Sequence, residues 1–216
     1  MINQFLAKIK ESYECSSVDV GDFKDVHVEG AKIHIEAYDA QGLGRVALIE
    51  VWGFLKLWRM QSMIIHPLEK DAPIYYYHRH NRKGRDIYKA EVLNTLVDDR
   101  EIDVFTPVLE KYMSIENLND KENWYDEIKM SGCVLKTVPK KEKEKLDAVA
   151  REHFDTYLKL CQDSPKCGKT RRKASAQEFV DGLVEWSGLA ILQLFRSYYE
   201  KAVAKALCLE ILFGMK

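Results

Sequence analysis

Cysteine is sparse in this chain of 216 residues, and its placement argues against a fold stabilised by disulfides or by a structural zinc ion. The five cysteines stand at irregular intervals, and none of them forms a CxxC pair. An odd count without paired spacing indicates neither a disulfide framework nor a structural zinc site. Buried thiols in a reducing compartment are the remaining expectation, which favours a cytoplasmic protein.

Long apolar runs are also missing from the sequence. No stretch of 18 apolar residues occurs, so no membrane-spanning helix is predicted. In the N-terminal segment MINQFLAKIKESYE, Lys8 and Lys10 interrupt the apolar core that a secretory signal requires. We therefore expect a soluble protein without a membrane partner.

Neither sign of charge is in excess. The 33 basic and 34 acidic residues leave a net charge of -1, so nothing global favours nucleic acid as a partner. Residues 163–175, DSPKCGKTRRKAS, form a basic exception, but without interleaved aromatic residues they predict a solvated loop. The GKT in this segment resembles the end of a P-loop, yet the first glycine of that motif would fall at Asp163.

The first half of the chain has the period of a β-sheet. Alternating or β-branched and aromatic segments, separated by glycines and an aspartate, predict six short strands that pair as an antiparallel meander. These segments are residues 24–30, 31–39, 45–54, 57–67, 73–80 and 85–93.

The second half is mainly helical. A short helix is also expected over residues 3–13, a further strand over 131–139, and a long helix over 140–162 with an apolar stripe at 3.6-residue spacing. Two more helical stretches follow residue 176. We expect one domain over residues 1–216, of the α+β class, built as a three-layer α/β/α sandwich with a central antiparallel sheet.

The stretch PIYYYHRHNRKGRDIYKAE, residues 73–91, concentrates aromatic and titratable side chains. In an extended strand, Tyr76, His78 and His80 point to one face, and Tyr75 and Tyr77 to the other. Two histidines on one face can bind a metal, but no carboxylate follows at ligand spacing, so a metal site is not favoured. The alternative is structural: the tyrosines pack as ordinary strand residues, and the Arg and Lys residues belong to a turn.

The order of these segments resembles that of a known family. Residues 44–93 resemble the central block of the ferredoxin-dependent bilin reductases, with Glu50 on one strand, Pro67 ending the next, and Pro73 before the third. The segment LQLFRSYYEKAVAKALCLEILFG is similar to the C-terminal helices of that family. The resemblance spans roughly residues 28–214.

This resemblance implies a fold and a reaction. Members of the family hold a linear tetrapyrrole between the sheet and the C-terminal helices, and reduce it through radical intermediates. Their electrons come from ferredoxin, with no bound metal or flavin, and their protons come from side chains beside the pigment. By resemblance, His78 becomes the principal proton donor, Glu50 a second acid or orienting group, and Lys136 a propionate anchor. Tyr76 and His80 would line the pigment site.

Two departures from the family pattern leave alternatives open. No acid stands near Leu189, where the resemblance places one, and no histidine stands near Ser62. A non-catalytic tetrapyrrole binder or carrier is therefore the alternative, and a pocket filled by the apolar segment GLAILQLF is another. If the chain is a reductase, we expect Glu50, His78 and Lys136 to share one cavity, and the basic residues 166–173 to dock ferredoxin.

Overall fold

A single antiparallel sheet forms the centre of the molecule. The computed structural model describes residues 1–28, 30–53, 58–119 and 121–216. Within them, eight strands form the sheet, and seven of these pair in the order β1-β3-β4-β5-β6-β7-β8. The remaining strand, β2, pairs with β3, as β1 does. The strands are β1 Cys15–Val18, β2 Asp25–Val28, β3 Ala31–Ala40, β4 Gly44–Gly53, β5 Arg59–Pro67, β6 Ile74–Arg82, β7 Arg85–Leu93 and β8 Val134–Pro139. Strands β3 to β7 are each paired with the next in sequence, so the predicted meander is confirmed. The predicted strand ends at Phe54 and Leu57 lie outside the described residues.

Helices cover both faces of this sheet. They are α1 Ile2–Ser12, α2 Thr106–Lys111, α3 Lys143–Asp163, α4 Lys169–Trp186, α5 Ala190–Tyr198 and α6 Lys201–Ala206, which continues into a π-helical turn, Leu207–Leu212. None of the helices described is both long and apolar enough to cross a membrane.

Among the described residues, two apolar cores lie on opposite sides of the sheet. One packs the sheet against α1 and α3, and the other packs it against α4, α5, α6 and the π-helical turn. Strand β6 contributes to both, because Tyr75 and Tyr77 belong to the first core and Tyr76 to the second. The predicted three-layer α/β/α sandwich is therefore confirmed.

The long helix α3 follows its predicted stripe. The ring of Phe154 on α3 stacks on the ring of Phe5 on α1, with centroids 4.0 Å apart. The ring of Tyr157 on α3 stacks on the ring of Tyr75 on β6, with centroids 4.4 Å apart. Such aromatic pairs contribute about 0.5–1.5 kcal/mol each beyond the area they bury. These contacts fix α1, α3 and the sheet in one register.

The sequence predicts a loop over the basic segment 163–175. This prediction is wrong for the second half of the segment. Helix α4 begins within it, and Arg172 is completely buried. Its guanidinium donates to the carbonyl oxygens of Pro67 at 2.9 Å, Ala72 at 2.8 Å and Thr95. Because these acceptors lie far away in sequence, no local pattern reveals them. Arg172 thus fastens α4 to the ends of β5 and β7, and it is not available to an external partner.

Candidate functional site

The central residue of the candidate site is His78, in the middle of β6. Strand register places Ser62 of β5 and Lys89 of β7 directly beside it. Cross-strand partners share a face, and so do alternate residues of one strand. The predicted grouping of Tyr76, His78 and His80 on one face therefore holds, and this face is covered by the C-terminal helices.

Hydrogen bonds link these side chains into a chain. The Oγ of Ser62 lies 2.9 Å and the Oη of Tyr76 lies 3.2 Å from Nδ1 of His78. On the other side of the ring, Nε2 of His78 lies 3.0 Å from Nδ1 of His80. Both nitrogens of His78 are thus engaged by groups that can give or accept a proton.

Burial decreases along this chain toward one end. Ser62 is fully buried, Tyr76 and His78 are 3% and 7% exposed, and His80 is partly exposed. Burial lowers the pKa of His80, and the nearby positive charge of Arg82 lowers it further. The arrangement can move a proton between a partly exposed ring and buried hydroxyl groups.

A second polar group lies on the same face, and the sequence analysis missed it. Glu91 of β7 is 1% exposed, and its carboxylate lies 2.8 Å from Nζ of Lys89 and 3.0 Å from Nζ of Lys129. The hydroxyl of Tyr125 donates to it at 3.1 Å. Alternation within the predicted strand 85–93 indicates that Lys89 and Glu91 share one face, and the register of β6 with β7 brings that face beside His78.

Glu50 is not part of this cluster. In the strand register Glu50 pairs with Gln61, and Gln61 pairs with Arg79. Arg79 follows His78 in the sequence, so its side chain points to the other face of the sheet. The carboxylate of Glu50 accepts hydrogen bonds from Gln61 and, at 2.7 Å, from Arg59. Glu50 therefore lies on the opposite face of the sheet from His78.

Lys136 also lies on that opposite face. It pairs with Tyr88 of β7, whose ring belongs to the core under α1 and α3. Its Nζ donates to the carbonyl oxygen of Ile115 at 3.0 Å, and burial lowers its pKa. The expectation that Glu50, His78 and Lys136 share one cavity is therefore wrong, because a one-residue offset in a strand reverses the face.

A cleft of about 980 Å³ opens between α4 and residues 124–128. Its walls include the rings of Trp124, Tyr125 and Trp186. Because Tyr125 donates to Glu91, the cleft adjoins the face of the sheet that carries His78. Its volume lies in the range typical of small-molecule sites.

Comparison with known proteins bears on the fold. No protein-family model matches the chain, and no curated protein matches it in sequence. Among solved structures, the crystal structure of phytochromobilin synthase from tomato in complex with biliverdin superposes with a TM-score of 0.78 at 11% sequence identity. The alignment covers 99% of this chain and 82% of that chain. The chain shares the fold of phytochromobilin synthase. The resemblance drawn from the order of segments is thereby confirmed for the architecture.

Within the phytochromobilin synthase fold, this chain has an apolar C-terminal layer. Leu189, where an acid would be expected by resemblance, is 1% exposed and lies in the core beside the sheet. Ile191 and Leu192 of α5 belong to the same core as Tyr76. The described titratable groups beside His78 therefore come from the sheet strands and from Tyr125 and Lys129, and α5 contributes apolar cover.

Proposed function

We propose that this protein binds a linear tetrapyrrole against the sheet face that carries Tyr76, His78 and His80. The observation that carries the proposal is the hydrogen-bonded cluster of Ser62, Tyr76, His78 and His80 beneath the C-terminal helices. Its support is the fold shared with an enzyme whose structure contains biliverdin. A flat, largely apolar pigment with polar pyrrole nitrogens suits a face that combines aromatic rings with proton-carrying groups.

The proposed reaction is reduction of the pigment with electrons from ferredoxin. Each electron that reaches the pigment is matched by one proton, so the reaction passes through radical intermediates and needs a positioned donor. His78 takes that role, because histidine changes its charge near neutral pH and this ring has a second proton-carrying group within 3.0 Å. Tyr76 orients the donor ring through its hydroxyl group and presents its ring to the pigment.

Ferredoxin would dock at the start of α4. Lys166, Lys169 and Arg171 are exposed there, although Lys169 pairs with Glu69 and Arg171 with Asp98. Exposed pairs of this kind are weak, so an acidic protein can compete for the cations. Turnover at limiting ferredoxin should therefore fall as ionic strength rises, and a rate that is independent of salt would remove this docking surface.

The test is an absorbance titration with biliverdin, followed by anaerobic reduction with reduced ferredoxin. Binding should shift the pigment spectrum, and turnover should follow. In His78→Gln the pigment should still bind, while turnover should fall by about 100-fold or more, the usual scale for removing a general acid. Glu50→Gln is the matched control, since it changes a titrating group to an amide on the opposite face and should leave turnover intact.

Each failure has a distinct meaning. Absence of a spectral shift in the unmodified protein would refute pigment binding. Binding without turnover would refute the reductase role and identify a carrier. Unchanged turnover in His78→Gln would remove His78 as the donor, while equal losses in both variants would show that the two faces of the sheet are not independent.

A further inference from the structure

We infer that His80 is a positioning residue that supplies protons from water to His78 as His78 gives up its own proton. This inference rests on the proposed function, because it concerns how the proposed donor is recharged. It assigns to His80 a role in proton supply, in place of the pigment contact expected from the sequence. The role is set by which atom of each ring faces which neighbour.

The two nitrogens of His78 face different surroundings. Nδ1 faces the hydroxyl groups of Ser62 and Tyr76, and Nε2 faces Nδ1 of His80. An imidazole that receives a proton on one nitrogen can release the proton on its other nitrogen. In one concerted shift, Nε2 of His80 takes a proton from water, Nδ1 of His80 passes its proton to Nε2 of His78, and Nδ1 of His78 releases its proton toward the buried hydroxyl groups and the pigment. One proton enters and one leaves, while the electron comes from ferredoxin.

The exposure of the chain sets the direction. Ser62 and Tyr76 are buried, whereas His80 is partly exposed, so water reaches the relay at His80. Burial and the charge of Arg82 lower the pKa of His80, while Asp86 opposes this shift. Lys89, beside His78, is paired with Glu91. These surroundings favour a neutral His80 that transfers a proton instead of storing it.

The first test needs no pigment. In protein labelled with 15N at histidine, the exchange of the His78 ring proton with water is measured by NMR, with and without His80→Gln. Glutamine can keep a hydrogen bond to His78 but cannot carry a proton. Exchange at His78 should slow by about 100-fold, the lower end of what a positioned acid–base group contributes. The ring proton of buried His153, which is bonded to Gly132, is the internal reference and should be unaffected. An unchanged exchange rate at His78 would overturn the relay.

The second test separates a role in proton supply from a merely structural role. His80→Gln should bind biliverdin normally, but proton delivery to the pigment should be slow from the first turnover, because Nε2 of His78 no longer receives a proton. Steady-state turnover should fall by about 100-fold and should recover when free imidazole is added. The exposed His27 on β2 supplies the matched control, His27→Gln, in which binding and turnover should both be normal. A loss of turnover that free imidazole does not restore would indicate a merely structural role and refute the inference.

The two tests also distinguish this inference from the proposed function. If biliverdin fails to bind but exchange at His78 slows in His80→Gln, the relay stands and the proposed pigment does not. If biliverdin is reduced while exchange and steady-state turnover are unchanged in His80→Gln, the function stands and the relay is refuted.

Discussion

Acidification from pH 7 to pH 5 should destabilise this fold by about 4 kcal/mol, because two buried histidines are held neutral. His66 on β5 is fully buried, and its Nδ1 donates to the carbonyl oxygen of Phe213 at 2.8 Å. Burial lowers its pKa to about 3. His153 on α3 is also fully buried, and burial lowers its pKa to about 4.

The direction follows from where the protons bind. An unfolded histidine titrates near pH 6.5, so between that pH and the folded pKa the unfolded chain binds a proton that the folded chain does not. Stability from each histidine is therefore complete above about pH 6.5 and is lost by about 1.4 kcal/mol per pH unit as the pH falls. From pH 6.5 to pH 5 each histidine costs about 2 kcal/mol. The lowered pKa of His80 acts in the same direction.

The assay is urea unfolding followed by tryptophan fluorescence at closely spaced pH values. His66→Asn keeps an amide donor where Nδ1 stood, and His153→Gln keeps a donor toward Gly132, so each variant removes a titrating group while preserving the hydrogen bond. Each should reduce the slope of unfolding free energy against pH by about 1.4 kcal/mol per unit below pH 6. Above pH 8 all three proteins should have equal slopes. A flat profile between pH 5 and pH 6 in the unmodified protein, or slopes unchanged in both variants, would refute the reasoning.

Two further predictions concern stability and come with matched controls. Arg172→Met should lower the unfolding free energy by about 3–5 kcal/mol, as expected when a buried charged partner is removed. Lys169→Met, at an exposed ion pair on the same helix, should lower it by less than about 1 kcal/mol. Similar losses for the two variants in urea unfolding would contradict the anchoring role of Arg172. Gly44→Ala should cost about 3 kcal/mol or more, because its methyl group would overlap the backbone at the end of β5. Gly42→Ala, with a φ of +83° but open space around it, should cost only about 1–2 kcal/mol, so comparable thermal melts for the two variants would argue against the close approach.

The sequence predicts the face on which a residue lies correctly where that face depends on a single strand or helix. The period of two within residues 73–80 placed Tyr76, His78 and His80 on one face, as the structure shows. The face shared by residues on different strands depends on register, which a period does not specify. Glu50 and Lys136 were therefore assigned to the wrong side, since their placement relied on a distant resemblance.

Arg172 illustrates a different limit. In the sequence it stands among basic and polar residues that predict a solvated segment. Its burial is made possible by carbonyl oxygens at Pro67, Ala72 and Thr95, which only the folded chain brings together. A buried cation of this kind is recognised from the acceptors around it, and those acceptors are backbone atoms without a sequence signature.

The alternation of strand β6 has a consequence for protein engineering. Tyr75 and Tyr77 form part of a dry aromatic layer, while Tyr76, His78 and His80 form a polar surface on the reverse side. Substitutions at His78 and His80 can thus change the hydrogen-bonding groups on one face, whereas Tyr75, Tyr76 and Tyr77 are buried in the two cores that hold the fold together. A library that varies His78 and His80 alone would sample new hydrogen-bonding groups on this face while keeping the packing that these tyrosines provide.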